Sequence, residues 1–338
     1  MKTAAATFLF IIMLLAVPAI GPITSHAELQ SVLSTHSYAL NLTSAIKNAH
    51  KYVYAAIFYV NPYSTNIVIN ELAHAKARGV SVKLVVSTHS LTIYPDVKER
   101  LTELGIPFKM IATHSKVVVI DDEWLYVGSA NWNRNGLENN WELTYKSRNA
   151  VAIAEAKEYI NNLWSTGETG VKPTGALPEQ PVNGREYVDQ VISLLRNAKS
   201  SIKLLMYEAD YDPQNLASAE SQLMWELKNA YQRGVHVFIL LDNPTYYDHP
   251  DGAAFLAKYK IPHKLDNQTS GSLERKHAKA FLIDGKTLVI GSHNWDADSA
   301  ESSNEYSIIV RENWDANQQF KWKFKPIWDA GIWKIAPP

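Results

Sequence analysis

His114, Lys116, Asp121, Gly128, Ser129 and Asn131 are spaced as His-x-Lys, four residues, Asp, six residues, Gly-Ser-x-Asn. His277, Lys279, Asp284, Gly291, Ser292 and Asn294 repeat that spacing, each 163 positions after its counterpart. Glu142 and Glu305 recur at the same offset, so seven positions are duplicated without one insertion or deletion. Two imidazoles, two ammonium groups and flanking amides suit a phosphodiester. One imidazole can attack phosphorus, the other can supply and remove a proton, and the cations and amides can hold the oxygens.

Spacing carries geometry if each copy is a hairpin. With a two-residue turn at Gly285-Lys286, opposed positions sum to 571, which pairs His277 with Asn294 and Lys279 with Ser292. The first copy, turning at Asp122-Glu123 with a sum of 245, pairs His114 with Asn131 and Lys116 with Ser129. Strand side chains alternate, so this register predicts all four on one face. A lone His and Lys on a strand are ordinarily solvated or structural. The recurrence of the whole set around apolar runs such as Val117-Val-Val-Ile120 favours function. Asp121 and Asp284 fall at strand ends with opposite parity and are assigned, with Gly128 and Gly291, to support. A carboxylate at Glu142 or Glu305 could accept from an imidazole Nδ1, fixing its tautomer and raising the basicity of Nε2.

The repeat extends to the elements that position these residues. Ala45–Ile57 resembles Leu194–Met206 at an offset of 149, and Glu71–Val86 resembles Glu226–Leu241 at 155. The growing offset predicts small insertions in the second copy, in loops around Tyr211 to Gln222 and Pro244 to Gly271. In both copies a helical pattern ends at Arg78-Gly79 or Arg233-Gly234 and a β-branched run follows, as in βαβ units. The expected class is α/β, with residues 28–165 and 185–338 as two similar lobes and the Gly-, Pro- and Thr-rich residues 166–184 as their linker.

Composition narrows the rest. The chain has no cysteine, which removes disulfides, thiolate nucleophiles and Cys-ligated zinc. Its formal charge of −1 supplies no global positive field for a polyanion, although Arg275-Lys276 beside His277 could make a basic cleft. Residues 1–27 look like a secretory leader: Lys2, an apolar run from Ala4 to Ile20, and small residues at Ser25-His26-Ala27. Cleavage there predicts a secreted or extracytoplasmic protein, and an uncleaved anchor is the other reading of the same run. Asn41-Leu-Thr and Asn267-Gln-Thr would accept glycans only in a eukaryotic secretory pathway.

At the paired His-x-Lys-x4-Asp-x6-Gly-Ser-x-Asn segments the chain resembles the phospholipase D superfamily, over both halves. The resemblance implies two mixed sheets flanked by helices, related by a pseudo-twofold axis, with one active site at their interface. It implies a reaction through a phosphohistidine, with no metal and no cofactor. By that resemblance His114 is the nucleophile and His277 the acid, while Lys116, Lys279, Asn131 and Asn294 bind the non-bridging oxygens. Ser129 and Ser292 add hydrogen bonds to substrate, and Glu142 and Glu305 complete the catalytic set. Retention of both aspartates argues against the tyrosyl-DNA phosphodiesterase branch.

The substrate stays open. A phospholipid cleaved at its distal phosphodiester, with peripheral membrane contact, is one reading; a nucleic acid cut by a secreted metal-independent nuclease is another; a non-catalytic phosphate-binding module is a third. One chain carrying both motifs is expected to act as a monomer. Trp132 and Trp295 could stack a base or cradle an ammonium, but strand parity turns them toward the core. Tyr246, Tyr247 and His249 are either a roof over the site or an ordinary surface loop. Phe320-Lys-Trp-Lys-Phe-Lys325 invites a membrane reading, yet the likeness of Phe324-Lys-Pro-Ile-Trp328 to Tyr159–Trp164 makes the segment the closing element of the second copy.

Overall fold

The computed structural model describes residues 31–63, 65–168, 177–267, 274–299 and 304–337. The expected leader and residues 169–176 of the expected linker lie outside the described residues.

The first lobe runs β1 (Val32–Ser34), α1 (Thr35–Lys47), β2 (Tyr52–Ile57), α2 (Ile67–Ala77), β3 (Ser81–Ser87), α3 (Ser90–Ile93), α4 (Val97–Glu103), β4 (Phe108–Ile111), β5 (Lys116–Ile120), β6 (Trp124–Gly128), β7 (Leu143–Ser147) and α5 (Ala150–Thr166). Its seven strands are ordered β1-β7-β6-β5-β2-β3-β4, with β2, β3 and β4 parallel and the remaining pairs antiparallel. The second lobe repeats the plan: β8 (Glu179–Val182), α6 (Gly184–Asn197), β9 (Ser201–Met206), α7 (Ala219–Gln232), β10 (His236–Leu241), α8 (Asn243–Asp248), α9 (Pro250–Lys258), β11 (His263–Leu265), β12 (Lys279–Ile283), β13 (Thr287–Gly291), β14 (Ser307–Arg311), α10 (Trp314–Ala330) and β15 (Ile332–Ile335). Its sheet is ordered β15-β11-β10-β9-β12-β13-β14-β8.

The helix-to-strand joints form where expected. Gly79 and Gly234 take φ of 91° and 90°, a left-handed conformation in which a side chain would be strained, so each helix stops there and a buried strand begins. Two boundaries differ from expectation. Residues 179–182, assigned to the linker, are an edge strand of the second sheet paired with β14, because the apolar edge of β14 needs a partner as β7 needs β1. The segment from residue 243, read as a loop, folds as α8, α9 and β11, with β11 extending the sheet beside β10.

Strands with near-continuous apolar runs are covered on both faces. In β5, Val118 and Ile120 face the helices α1 and α2, while Val117 and Val119 face the other lobe. In β12, Phe281 and Ile283 join the outer core of the second lobe, and Ala280 and Leu282 the core between lobes. That central core also takes Tyr159 and Leu163 of α5 and Phe320 and Phe324 of α10. The Phe320–Lys325 segment is thus the closing helix of its lobe, with Trp322 left exposed. Among the described residues no helix is long and apolar enough to cross a membrane.

The hairpins differ from the expected register by one residue. Lys279 opposes Gly291 and Ile283 opposes Thr287; in the first lobe Val117 opposes Val127 and Ile120 opposes Trp124. Each turn opens with the motif aspartate. Asp284 and Gly285 have φ of 53° and 69°, Asp121 and Asp122 have 58° and 59°, and the next residue's N–H closes the turn at 2.9 Å in both copies. A one-residue slip carries a side chain to the opposite face. The serines therefore share the face of Val127 and Ile290's sheet side that looks toward the other lobe, not the face of the lysines.

The aspartates earn their turn positions by collecting backbone donors from the neighbouring connection. Asp121 accepts from His50, Lys51 and Tyr52 at 2.6, 2.8 and 2.7 Å, and Asp284 from Lys199, Ser200 and Ser201 at 2.9, 2.7 and 3.0 Å. These charge-assisted bonds tie the helix-to-strand joint to the hairpin tip. Replacing Asp284 with Ala strands those donors and is expected to destabilise the chain by about 2 kcal/mol, read as a lowered urea midpoint at unchanged slope. A midpoint equal to the parent's would show that the bonds contribute nothing net.

Candidate active site

Each candidate histidine sits two residues before a central strand, where the chain enters the sheet at the lobe interface. Lys116 and Lys279, the first residues of β5 and β12, turn back so that Nζ donates to the carbonyl of His114 or His277, at 2.6 Å in both copies. The approach segments are stitched across the interface. His114 N–H donates to Asn304 O at 2.8 Å, and Trp141 N–H to Arg275 O at 2.7 Å. Both histidines then line one cavity of about 510 Å³, together with Asn131, Asn294, Phe58, Tyr207, Glu208 and Asp296 among others.

The carboxylates are exchanged between lobes. Nδ1 of His114 lies 2.5 Å from Oε1 of Glu305, and Nδ1 of His277 lies 2.9 and 3.0 Å from the two oxygens of Glu142. With Nδ1–H donating, each imidazole turns Nε2 toward the cavity. Both carboxylates are fully buried, while the His114 and His277 side chains keep 15% and 12% of their surface exposed. The serines hold these carboxylates. Ser129 Oγ donates to Glu142 at 2.5 Å and Ser292 Oγ to Glu305, and Asn140 Nδ2 donates to Glu142 at 3.1 Å. Ser129 and Ser292 were expected to bind substrate. They are fully buried and spent on the glutamates, because the corrected register turns them from the cavity to the interface.

Burial and neighbouring charge set the protonation. Burial first, then the charges of Lys116, Lys279 and His277, hold the His114 imidazolium well below the usual histidine range. Burial also lowers His277, but there the Glu142 charge and hydrogen bond pull the other way. Burial raises Glu305, whereas Glu142, though burial opposes its charge, is held below the usual carboxylate range by His277, Lys279 and Ser129. Lys116 and Lys279 fall to about 7 and about 8, chiefly through burial. The two halves are thus chemically unequal: His114 favours the neutral form, and His277 faces an ionised partner.

The remaining residues fall into place physically. Gly128 and Gly291 permit close strand approach, since a Cβ on either would come within 2.4 Å of Leu143 O or within 2.1 Å of Ser307 Oγ. Trp132 and Trp295 are core residues, each donating Nε1 to a buried tyrosine, Tyr38 and Tyr187. Tyr246 packs on His263, Tyr247 is exposed and His249 pairs with Asp210, so none of the three lines the cavity. Asp121 and Asp284 stand at the hairpin tips. Several lining residues escaped the sequence reading, Phe58, Tyr207, Glu208 and Asp296 among them. Phe58 and Tyr207 set ring edges against His114 and His277 at 4.4 and 4.6 Å, and lie under Lys116 and Lys279 at 5.0 and 4.5 Å. The 149 offset, extended by one residue, would have marked that pair. Glu208 and Asp296 had no such signal, because the first lobe carries Tyr59 and Asn133 at the matching positions.

Residues 42–164 and 191–328 match the protein family described as "Cardiolipin synthase, PLD-like domain". Phospholipase D Z of Dictyostelium discoideum is 22% identical over 370 residues, covering 89% of this chain and 85% of that protein. The mitochondrial cardiolipin hydrolase of Danio rerio is 29% identical over 102 residues, which span 30% of this chain and 42% of that protein. Among solved structures, the phosphatidylserine synthase of Haemophilus influenzae Rd KW20 superposes with a TM-score of 0.72 at 13% identity, over 92% of this chain and 88% of that one, a likeness of fold.

One buried group beside the site is expected to lower stability in acid. His293 stacks on Tyr187 at 3.9 Å, places Nδ1 2.8 Å from Ser307 Oγ, and has no partner for Nε2 among the described residues. Burial chiefly holds its pKa near about 4. The unfolded imidazole protonates near 6.5, so the unfolded state takes up more protons as pH falls from about 6.5 to about 4, and stability drops through that window by about 3 kcal/mol. His293→Ala, which copies Ala130 of the first lobe, is expected to flatten the fall of Tm between pH 7 and 5. An unchanged slope would assign the acid sensitivity elsewhere.

Proposed function

Because the chain belongs to the PLD-like domain family, and is therefore a phosphodiesterase of the phospholipase D superfamily, we propose that it cleaves the distal phosphodiester of phospholipids through a phosphohistidine. The observation that carries this reading is the pair of cavity histidines, each anchored through Nδ1 by a buried carboxylate from the opposite lobe. Such a pair presents two Nε2 atoms to one phosphorus from two sides.

The inequality of the halves supports one division of roles. His114, held neutral, has a free lone pair on Nε2, which forms the P–N bond as the bond from phosphorus to the headgroup oxygen breaks. His277, whose proton is stabilised by Glu142 and further by an incoming phosphate anion, donates that proton to the leaving oxygen. In the second half the neutral His277 takes a proton from water, the hydroxyl oxygen attacks phosphorus, and the P–N bond breaks to release phosphatidate and His114. An alcohol in place of water gives transfer. Lys116 and Lys279 meet the charge on the non-bridging oxygens, and Asn131, whose Oδ1 is fixed by the Tyr59 N–H at 3.2 Å, offers its Nδ2 end to them. Glu142 and Glu305 act through the histidines as positioning residues. One chain supplies both halves of the site. The same reading has the enzyme act outside the cytoplasm, on the strength of the leader-like residues 1–27 alone.

Nucleic acid is the weaker substrate class, since Glu208, Asp296 and Asp298 line the same cavity and would repel a run of phosphates.

The direct assay incubates the full chain with phosphatidylcholine and ethanol, and separately with single- and double-stranded DNA. Phosphatidic acid and phosphatidylethanol are expected from the lipid; nicked DNA with inert lipid would replace this reading by the nuclease. His114→Ala and His277→Ala should each lower turnover by about 10³-fold or more. In His277→Ala a phosphoenzyme should accumulate on His114, and trapped phosphate found on His277 of the parent would reverse the assignment. Glu142→Gln is expected to slow turnover by about 10²- to 10⁴-fold. Because it removes the charge that supports the His277 proton, the decline of kcat/KM with rising pH should begin at lower pH than in the parent. A slower enzyme with an unmoved pH profile would make Glu142 merely structural.

A further inference from the structure

The two lobes differ where they face the substrate. At equivalent places the first lobe presents Tyr59, Asn133 and Asn135, and the second presents Glu208, Asp296 and Asp298. The equivalence is structural as well: Trp132 N–H donates to Tyr59 O at 2.9 Å, and Trp295 N–H to Glu208 O at 3.0 Å. All three second-lobe carboxyl residues line the cavity that holds the histidines.

The asparagines respond to this difference. Asn131 Oδ1 accepts from a backbone N–H, which leaves its donor end for phosphoryl oxygens. Asn294 is reversed: Nδ2 donates to Glu208 Oε2 at 2.7 Å. Its Oδ1 has no hydrogen-bond partner among the described residues, although Asn294 lines the cavity and is only 5% exposed. A buried acceptor without a donor costs about 1–3 kcal/mol unless a ligand supplies one. The second-lobe wall therefore combines an unsatisfied amide oxygen with carboxylates, a set that accepts hydrogen bonds and attracts positive charge. Burial, then the hydrogen bond and charge of Asp296, raise Glu208 to about 7, while Glu208 and the Ser299 N–H help keep Asp296 ionised against its burial. At neutrality the pair retains at least one negative charge.

We infer that this wall is a headgroup subsite for an alcohol bearing a protonated primary amine, an ethanolamine-type headgroup, which reaches Asn294, Glu208 and Asp296 while its oxygen leaves beside His277. The inference rests on the phospholipid reading and gives it a substrate class. An N–H-bearing ammonium can donate to Asn294 Oδ1 and to carboxylate together; a quaternary ammonium has no proton to give, and a glycerol headgroup has no charge. The subsite lies in the lobe of His277, the residue that protonates the departing headgroup. The neutral lobe, with Asn131, is left to hold the phosphoryl oxygens.

The test measures kcat/KM of the full chain on phosphatidylethanolamine, phosphatidylcholine and phosphatidylglycerol with identical acyl chains, each in the same neutral-detergent micelles. Phosphatidylethanolamine should be favoured at least tenfold over both others. Glu208→Gln and Asp296→Asn should each shrink the ethanolamine-to-glycerol ratio about tenfold. The ratio is taken within one preparation, so it does not depend on how much of a variant folds. Turnover of all three lipids at similar kcat/KM, or variants that keep the parent's ratio, would overturn the subsite and leave the phospholipase standing. No turnover of any lipid would overturn the phospholipase reading and the subsite with it.

Discussion

Everything at the centre of this protein depends on the exchange of two buried glutamates. A carboxylate with no solvent contact is costly unless it is paired and its lone pairs are filled. Glu142 and Glu305 meet that demand in full only once the lobes meet, each with the histidine of the other lobe besides the serine of its own. Separate the lobes and two ionisable groups lose their partners while both imidazoles lose the bond that orients them. The same contacts that hold the halves together therefore set the tautomers of the site, which couples assembly to chemistry.

The exchange also explains why a duplicated chain can have a single cavity with unequal sides. The scaffold repeats almost element for element: turn aspartates, close-packed glycines, tryptophans that donate to buried tyrosines. Around the histidines the pattern breaks. Ala130 gives way to His293, Tyr59 to Glu208 and Asn133 to Asp296. Two identical halves would impose the same protonation on both imidazoles. Unequal surroundings push their proton affinities apart, as the proposed division into nucleophile and acid requires.

Several features were legible before any coordinates. The constant offset of 163 picked out the histidines and asparagines that line the cavity and the lysines and glutamates bonded to those histidines, and Gly79 and Gly234 marked where helices yield to strands. The register was misread because an Asp-Gly pair can sit at either place in a turn. The deciding interaction was remote: Asp284 turns left-handed to reach three N–H groups more than eighty residues earlier. That single step moved Ser129 and Ser292 from the substrate to the glutamates. Residues after 243 were taken for a loop because short helices and a three-residue strand have too little periodicity to stand out, and only the open edge of β10 calls β11 into the sheet.

Sequence alone determined the kind of chemistry, the α/β class and the twofold plan, because those depend on residue type and on spacing along the chain, which a duplication preserves. Tertiary structure alone decided which glutamate serves which histidine, which way each asparagine faces, and that Glu208 and Asp296 stand in the same cavity as His114. Those are contacts between residues 72 to 191 positions apart, whose pairing is set by how each sheet folds and how the two sheets pack face to face. Sequence distance holds no trace of that packing, since the burial that makes each pair necessary exists only once the lobes have closed on each other.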